Sequence, residues 1–325
     1  MIRAGIVGGS GYVAGELLRC LVHHPEVEVD FIFSHSNAGK PAGALHRDLQ
    51  HVLLPRFTGE VHPGADVVFL CLGHGHSKAF LERHPFRPET KIIDLSQDFR
   101  LSEKACFGGR KFEYGLVEKN KNKIRNAANI ANPGCFATAI QLALLPLASG
   151  GLLAGDIHVH AITGSTGAGQ KPTDTTHFSW RNNNVSIYKP FTHQHLGEIG
   201  EQLTELQGCP IGEMHFIPVR GCFTRGIFAS VYTHTEETEE QLRDRYRTFY
   251  EKEPFTHCVE KAPDLKQVIN TNNCFVHVQK KGDKALVISV IDNLLKGAAG
   301  QAIQNMNLLY GWEEDSGLGL KASYF

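Results

Sequence analysis

Ala4-Gly5-Ile6-Val7-Gly8-Gly9-Ser10-Gly11-Tyr12 runs from a short apolar segment into a glycine-rich turn. Leu17, Leu18, Leu21 and Val22 follow at helical spacing. Strand, glycine turn and helix in this order form the entry to a dinucleotide fold, in which glycines let the backbone approach a pyrophosphate and the helix start offers N–H donors. Further on, Val27, Val29, Phe31 and Phe33 alternate as a strand, and Val67–Leu72 and Ile92–Leu95 are short apolar runs of the buried-strand type. The rhythm predicts a Rossmann-type, doubly wound parallel sheet, making the first part α/β. Gly8, Ser10, Gly11, Tyr12 and Val13 are therefore the candidate cofactor contacts.

The end of the second strand bears on which cofactor. An NAD site places an acidic residue there for the ribose hydroxyls. This chain has Ser34-His35-Ser36, with Lys40 nearby and no carboxylate. Hydroxyls and a cation suit a 2′-phosphate, so the expected cofactor is NADP (NADPH), with Ser34 and Ser36 as contacts. The alternative is a plain surface turn.

The remainder has a different grain. Ile157, Val159 and Ala161 alternate with His158 and His160 as a half-exposed strand. Thr238 and Gln241 have capping-box spacing, with Leu242, Tyr246 and Phe249 on one helical face behind them. Val276–Val278 and Leu286–Ile291 read as antiparallel strands joined by a turn at Lys280–Asp283. These imply an α+β second domain with a mixed sheet. A last helix carries Ala299, Ala302, Ile303, Met306 and Leu309 on one face and Gly311 at its C-cap.

The composition fits these folds. The 325 residues allow about two domains, and 42% hydrophobic with 21% charged residues is ordinary for a globular protein. A net charge of −1 argues against nucleic-acid or membrane-surface partners. No apolar run approaches the roughly 20 residues of a membrane span, and no leader is read at Met1. The expected location is cytoplasmic, with a small-molecule partner.

Eight scattered cysteines without a CxxC pair give no sign of a disulfide framework. One stands apart by position. Asn132-Pro133-Gly134-Cys135 follows the apolar pair Ile130-Ala131 and opens a helical pattern that Pro146 should end or kink. A thiol in a first helical turn has its thiolate stabilised by the helix dipole and N–H groups, which makes Cys135 a candidate nucleophile. Cys71, inside an apolar strand, should be inert. His193-Gln194-His195 with Glu198 supplies acid–base chemistry, because a helix starting here brings Glu198 back toward His195. The two-apart pairs His74/His76, His158/His160 and His193/His195 also permit a metal-site reading. The expectation is no metal, with His158 and His160 on an exposed strand face.

Together these segments resemble the N-acetyl-γ-glutamyl-phosphate reductases, semialdehyde-forming enzymes of arginine biosynthesis within the aspartate-semialdehyde dehydrogenase-like superfamily. The likeness rests on Gly8–Tyr12, Ile93–Arg100, Tyr114-Gly115-Leu116, Ala131–Cys135, Gly167-Ala168-Gly169, His193-x-His195 with Glu198, and Asp292–Gln301. It implies NADPH-dependent reduction of an acyl phosphate through a thioester on Cys135, with His195 as the acid–base residue and Glu198 supporting it. It places the nicotinamide near Asn293 and Lys296. It implies that 1–134 and 298–325 bind the cofactor, that 135–297 hold substrate and mediate oligomerisation, and that the protein is a homodimer or homotetramer. Thr166, Tyr188, His193 and Arg225 are candidate substrate contacts, with Arg220 the alternative to Arg225 for a phosphate or α-carboxylate. The segment Thr173–Asn184 departs from commoner versions and leaves the acyl group (acetyl or succinyl) open. Rival readings are an aspartyl or N-acyl-aminoadipyl phosphate substrate, a non-catalytic NADP-binding sensor, and a zinc-dependent dehydrogenase.

Overall fold

The computed structural model describes all 325 residues, which divide into two compact units: Met1–Gly134 with Ala298–Gly319, and Cys135–Gly297 with Leu320–Phe325. The last six residues lie in the second unit rather than the first, where Ser323 donates its N–H to Ile269 O and accepts Asn270 Nδ2 on its hydroxyl.

In the first unit, β1 (Ile2–Val7), α1 (Tyr12–Leu21), β2 (Val27–Phe33), β3 (Phe57–Thr58) and β4 (Val67–Leu70) come first. Then follow α2 (Ser77–Arg83), β5 (Lys91–Asp94), β6 (Cys106–Phe107), β7 (Arg110–Tyr114), α3 (Val117–Arg125) and β8 (Asn129–Ala131). The sheet order is β3-β2-β1-β4-β5-β8-β7-β6, parallel everywhere except the β6–β7 hairpin. This is the doubly wound parallel sheet expected. The central strands β1, β4, β5 and β8 are largely buried, as a sheet covered on both faces requires.

The carboxyl ends of β4 and β5 are tied together by acids. Fully buried Asp94 accepts Ser77 Oγ at 2.5 Å and Ser96 Oγ at 2.7 Å. Asp98 accepts the N–H groups of Gly75, Ser77 and Lys78 at the start of α2. Burial pushes the Asp94 carboxyl from 3.8 up to about 6, with the Ser77 and Ser96 hydrogen bonds and the Arg100 charge acting the other way. An acid with a raised native pKa holds its proton longer folded than unfolded. Its contribution to stability is therefore fully present below 3.8 and is lost as pH rises through about 6. Between pH 4.5 and 7.5 the Asp94→Asn variant should gain about 2 kcal/mol relative to wild type. Urea midpoints at the two pH values check this; a constant difference refutes it.

The second unit holds α4 (Cys135–Ser149), β9 (Ile157–Thr163), α5 (Phe178–Arg181), β10 (Ser186–Ile187), α6 (His195–Gln207), β11 (Met214–Arg220) and β12 (Ile227–His234). It continues with α7 (Glu239–Tyr250), β13 (Thr256–Cys258), β14 (Cys274–Lys281) and β15 (Lys284–Ile291). The mixed sheet runs β10-β11-β9-β12-β15-β14-β13. β9 alternates buried and more exposed residues, and β14–β15 is the antiparallel hairpin expected. The Thr238/Gln241 capping box is formed, although Tyr250 rather than Phe249 joins Leu242 and Tyr246 in the core.

One expectation fails instructively. Pro146 neither ends nor breaks α4, which continues to Ser149. Proline removes the N–H that would serve the carbonyl of Leu142. The Tyr250 hydroxyl donates to that carbonyl at 2.5 Å, and Tyr246 donates to Ala143 O at 2.6 Å. Side chains from α7 thus replace the missing rung.

The chain returns to the first unit in α8 (Ala299–Tyr310), closed by Gly311 in the left-handed conformation. The helix is buried around its whole circumference rather than on one apolar face. Its polar residues there are amides with acceptors to reach: Gln301 and Asn305 both donate to Gly115 O, and Asn305 also donates to Asn132 Oδ1.

Candidate active site and cofactor turn

In the first unit, Gly8 has φ +78°, and a side chain there would meet Cys71 O at 2.5 Å. Glycine is therefore obligatory. Gly11 stands as the N-cap of α1 with no side-chain cap, so the first N–H groups of a ten-residue helix stay available to an anion. Ser10 and Val13 are half-buried and Tyr12 is exposed. At the end of β2, buried Ser34 accepts Asn37 Nδ2 at 3.0 Å, and Asn37 Oδ1 accepts Lys40 Nζ at 3.0 Å, with Ser36 exposed beside them. The cradle and this hydroxyl–amide–ammonium chain fit a nicotinamide dinucleotide.

The second unit carries the candidate chemistry. From Asn129 to Ala148 every residue is buried except Cys135, which is partly exposed at the start of α4. Burial and the nearby Asp94 charge instead push the Cys71 thiol far up, and Cys258 is raised to about 11. No disulfide links any of the eight cysteines.

Around Cys135 stands an aromatic group. Phe136 lies edge-on to His193 at 5.5 Å and to Phe216 at 5.2 Å, and His193 lies 4.6 Å from His195 between ring centres. Tyr188 is 5.8 Å from His193. Burial first, then the Cys135 thiol, raises its phenol. His195 begins α6, and its Nε2 lies 3.9 Å from Glu198 Oε1, both side chains being buried. His193 Nδ1 accepts the His195 N–H at 3.2 Å. That acceptance places the His193 proton on Nε2 and makes the ring a neutral donor.

The loop after β15 reaches Cys135 through Gly297. Buried Asp292 accepts Arg225 Nε at 3.0 Å and Nη2 at 3.1 Å, together with the N–H groups of Asn270, Leu294 and Leu295. Asn293 Oδ1 accepts Gly226 N–H, and its Nδ2 donates to Thr166 Oγ1, which itself donates to Thr224 O. At Gly297 a Cβ would stand 2.8 Å from the Cys135 Cβ and 2.6 Å from Asn293 O.

Arg225 pairs with Asp292 through Nε and Nη2, and the Thr166 hydroxyl is hydrogen-bonded within the protein. Asn293 and Lys296 are 2% and 0% exposed, and Lys296 Nζ lies 5.8 Å over the Phe255 ring. Both side chains are thus buried in the loop that follows β15. Asp292 was missed. Its signal was an acid directly ending the apolar run Leu286–Ile291. The paired histidines 158 and 160 do not gather ligands: His158 stacks on Tyr232 at 4.7 Å and His215 at 5.0 Å, and no three His, Cys, Asp or Glu side chains converge in metal-binding geometry. No helix is long and apolar enough to cross a membrane.

Comparison with known proteins agrees with both units. Residues 3–127 match the family described as semialdehyde dehydrogenase, NAD binding domain, and residues 135–293 match semialdehyde dehydrogenase, dimerisation domain. The chain is 56% identical over 325 residues to the N-acetyl-gamma-glutamyl-phosphate reductase of Flavobacterium johnsoniae, with all of both chains covered. It is 53% identical to the proteins of that name from Christiangramia forsetii and Parabacteroides distasonis, again with full coverage of both. In fold it is similar to aspartate semialdehyde dehydrogenase II from Vibrio cholerae, with TM-score 0.72 and 18% identity over 96% of this chain and 99% of that one. The Candida albicans aspartate semialdehyde dehydrogenase with NADP gives TM-score 0.69 and 14% identity, over 95% and 98%. The chain therefore belongs to the N-acetyl-γ-glutamyl-phosphate reductase family, built from the semialdehyde dehydrogenase NAD-binding and dimerisation domains.

Proposed function

We propose that the protein reduces N-acetyl-γ-glutamyl phosphate to N-acetyl-glutamate semialdehyde and phosphate in arginine biosynthesis, with NADPH as reductant and a thioester on Cys135. The observation that carries this reading is the partly exposed thiol at a helix start, next to Phe136, whose ring packs on a histidine pair braced by Glu198. Cys135 attacks the γ-carbonyl carbon; the new C–S bond replaces the bond to phosphate, which leaves. A nicotinamide, when bound, supplies the hydride. His195 holds the proton that goes to the carbonyl oxygen, and Glu198 stabilises its charged form. His193 presents Nε2–H to the substrate. When the C–S bond breaks, the hydroxyl proton returns to His195, Cys135 leaves as thiolate and the semialdehyde departs.

Residues 1–134 and 298–319 serve the cofactor in this reading, and 135–297 serve substrate and self-association as a homodimer or homotetramer in the cytoplasm. Ser34, Ser36 and Lys40 support NADP over NAD, since no carboxylate stands among them to repel a 2′-phosphate. Ser36→Asp should lower kcat/KM for NADP about tenfold or more while sparing NAD.

The test runs the reaction in reverse: semialdehyde, phosphate and NADP, followed by NADPH absorbance. Absence of turnover sinks the proposal. Acetyl, succinyl and aminoadipyl versions of the substrate rank the acyl group and chain length.

A further inference from the structure

The glycine turn of the first unit is held by a residue that lies outside it. Gly9 donates its N–H to Phe33 O at 2.9 Å. Its carbonyl is met at 2.8 Å by Nε2 of His46, 37 residues further along the chain. A carbonyl only accepts, so the His46 proton on that side sits on Nε2. The residue is 8% exposed and its ring lies 6.2 Å from that of Phe57. Its main chain is tied at both ends, donating to Ala42 O at 3.1 Å and accepting the Leu49 N–H at 3.0 Å.

The helix that follows the turn makes room for this ring. A Cβ on Gly15 would stand 2.8 Å from His46 Nδ1 and 3.1 Å from its Cε1. Gly15 lies inside α1 and needs no left-handed backbone. By propensity the position favours alanine. What the missing side chain admits is the imidazole.

His46 also belongs to the connection between β2 and β3, residues 34–56, which carries Ser34, Asn37 and Lys40. That connection is pinned to β3, because Gly39 N–H donates to Phe57 O and Phe57 N–H donates to Lys40 O. The hydrogen bond to Gly9 therefore joins the hydroxyl–amide–ammonium chain to the glycine turn.

We infer that His46 is a positioning residue for the dinucleotide. Its Nε2–H fixes the Gly9 peptide, so the N–H groups of the turn and of the start of α1 are aimed before the pyrophosphate arrives. A turn set in advance loses less entropy on binding. The inference rests on the reading of this turn as the cofactor cradle.

Calorimetry with NADP as the probe tests it without turnover. His46→Leu, first shown folded by circular dichroism, should bind NADP about tenfold more weakly than wild type. His46→Gln, whose amide N–H reaches about as far as Nε2, should recover most of that loss. In the reverse assay the KM for NADP should rise with the Kd, while the KM values for semialdehyde and phosphate stay within about twofold. A histidine that only supports the fold would lower the thermal midpoint without this split.

Gly15→Ala gives a second arm, which decides the matter alone if His46→Leu does not fold. The added methyl must displace the ring, so NADP binding should weaken by about threefold or more. In a His46→Ala background the same methyl displaces nothing, and should raise the thermal midpoint while leaving the Kd where His46→Ala put it. Unaltered NADP affinity in folded His46→Leu overturns the inference, and so does equal weakening by His46→Leu and His46→Gln. If His46→Leu does not fold, unaltered affinity in Gly15→Ala overturns it. A wild type that binds NADP without turnover fails only the proposed reaction, whereas one that binds no NADP overturns the inference together with the cradle.

Discussion

Cys135→Ser should lower kcat for semialdehyde oxidation by about 10⁴-fold or more, since removing a covalent nucleophile has effects of that order. The fold should barely respond. Serine differs by one atom, and Cys135 is the one residue between Asn129 and Ala148 that is not buried, so no closed cavity is left behind. A hydroxyl at a helix start remains almost wholly protonated at neutral pH, whereas a thiol there has its ionisation assisted by the helix dipole. Steady-state rates and thermal midpoints of both proteins check this pairing of lost turnover with retained stability. Residual activity above a few per cent of wild type would exclude the thioester. Substrate should also protect Cys135 from iodoacetamide in wild type, as peptide mapping would reveal.

Asp292→Ala should cost about 3–5 kcal/mol, the range for breaking a buried charge pair by removing one partner. The carboxylate is fully buried and receives five N–H donors, two from Arg225 and one each from Asn270, Leu294 and Leu295. Truncation leaves a guanidinium and three main-chain donors without their acceptor. The thermal midpoint should fall by roughly 10 °C, given about 2–4 °C per kcal/mol for a domain of this size. Turnover should fall as well, even at a temperature where the variant is folded, because this loop runs on to Gly297, which lies hard against Cys135. Asp292→Asn keeps one acceptor oxygen and should fall between. A shift below about 1 kcal/mol for Asp292→Ala would show that the hub adds little.

The parts of this molecule that read clearly in the sequence are those governed by local rules. Gly8–Gly11 between an apolar strand and an amphipathic helix fixes the cofactor turn, because only glycine tolerates that approach to Cys71. Thr238 and Gln241 cap a helix with their own side chains, so the signal is complete within four residues. Cys135 was legible because a helix start is itself a sequence feature. What failed to show was long-range. Pro146 looked like a helix end because Tyr250, whose hydroxyl serves the orphaned carbonyl, lies 104 positions on. Arg225 and Arg220 were interchangeable in sequence. Only the Asp292 carboxylate, 67 residues beyond Arg225, tells them apart. The burial of Asn293 and Lys296 did not show either, because it comes from neighbours far along the chain.

The proline in α4 has one more consequence. Its missing N–H interrupts the helical ladder between the turn that ends at Ser149, where the following residues are exposed, and the turn that begins with the thiol. Fraying that enters from the exposed end meets a rung belonging to α7 and not to α4. In hydrogen-exchange terms, amides after Pro146 should open on their own, while those nearer Cys135 exchange only when the helix as a whole comes apart. The proline thus acts as a firebreak, leaving one end of the helix free to breathe without blurring the position of the sulfur at the other.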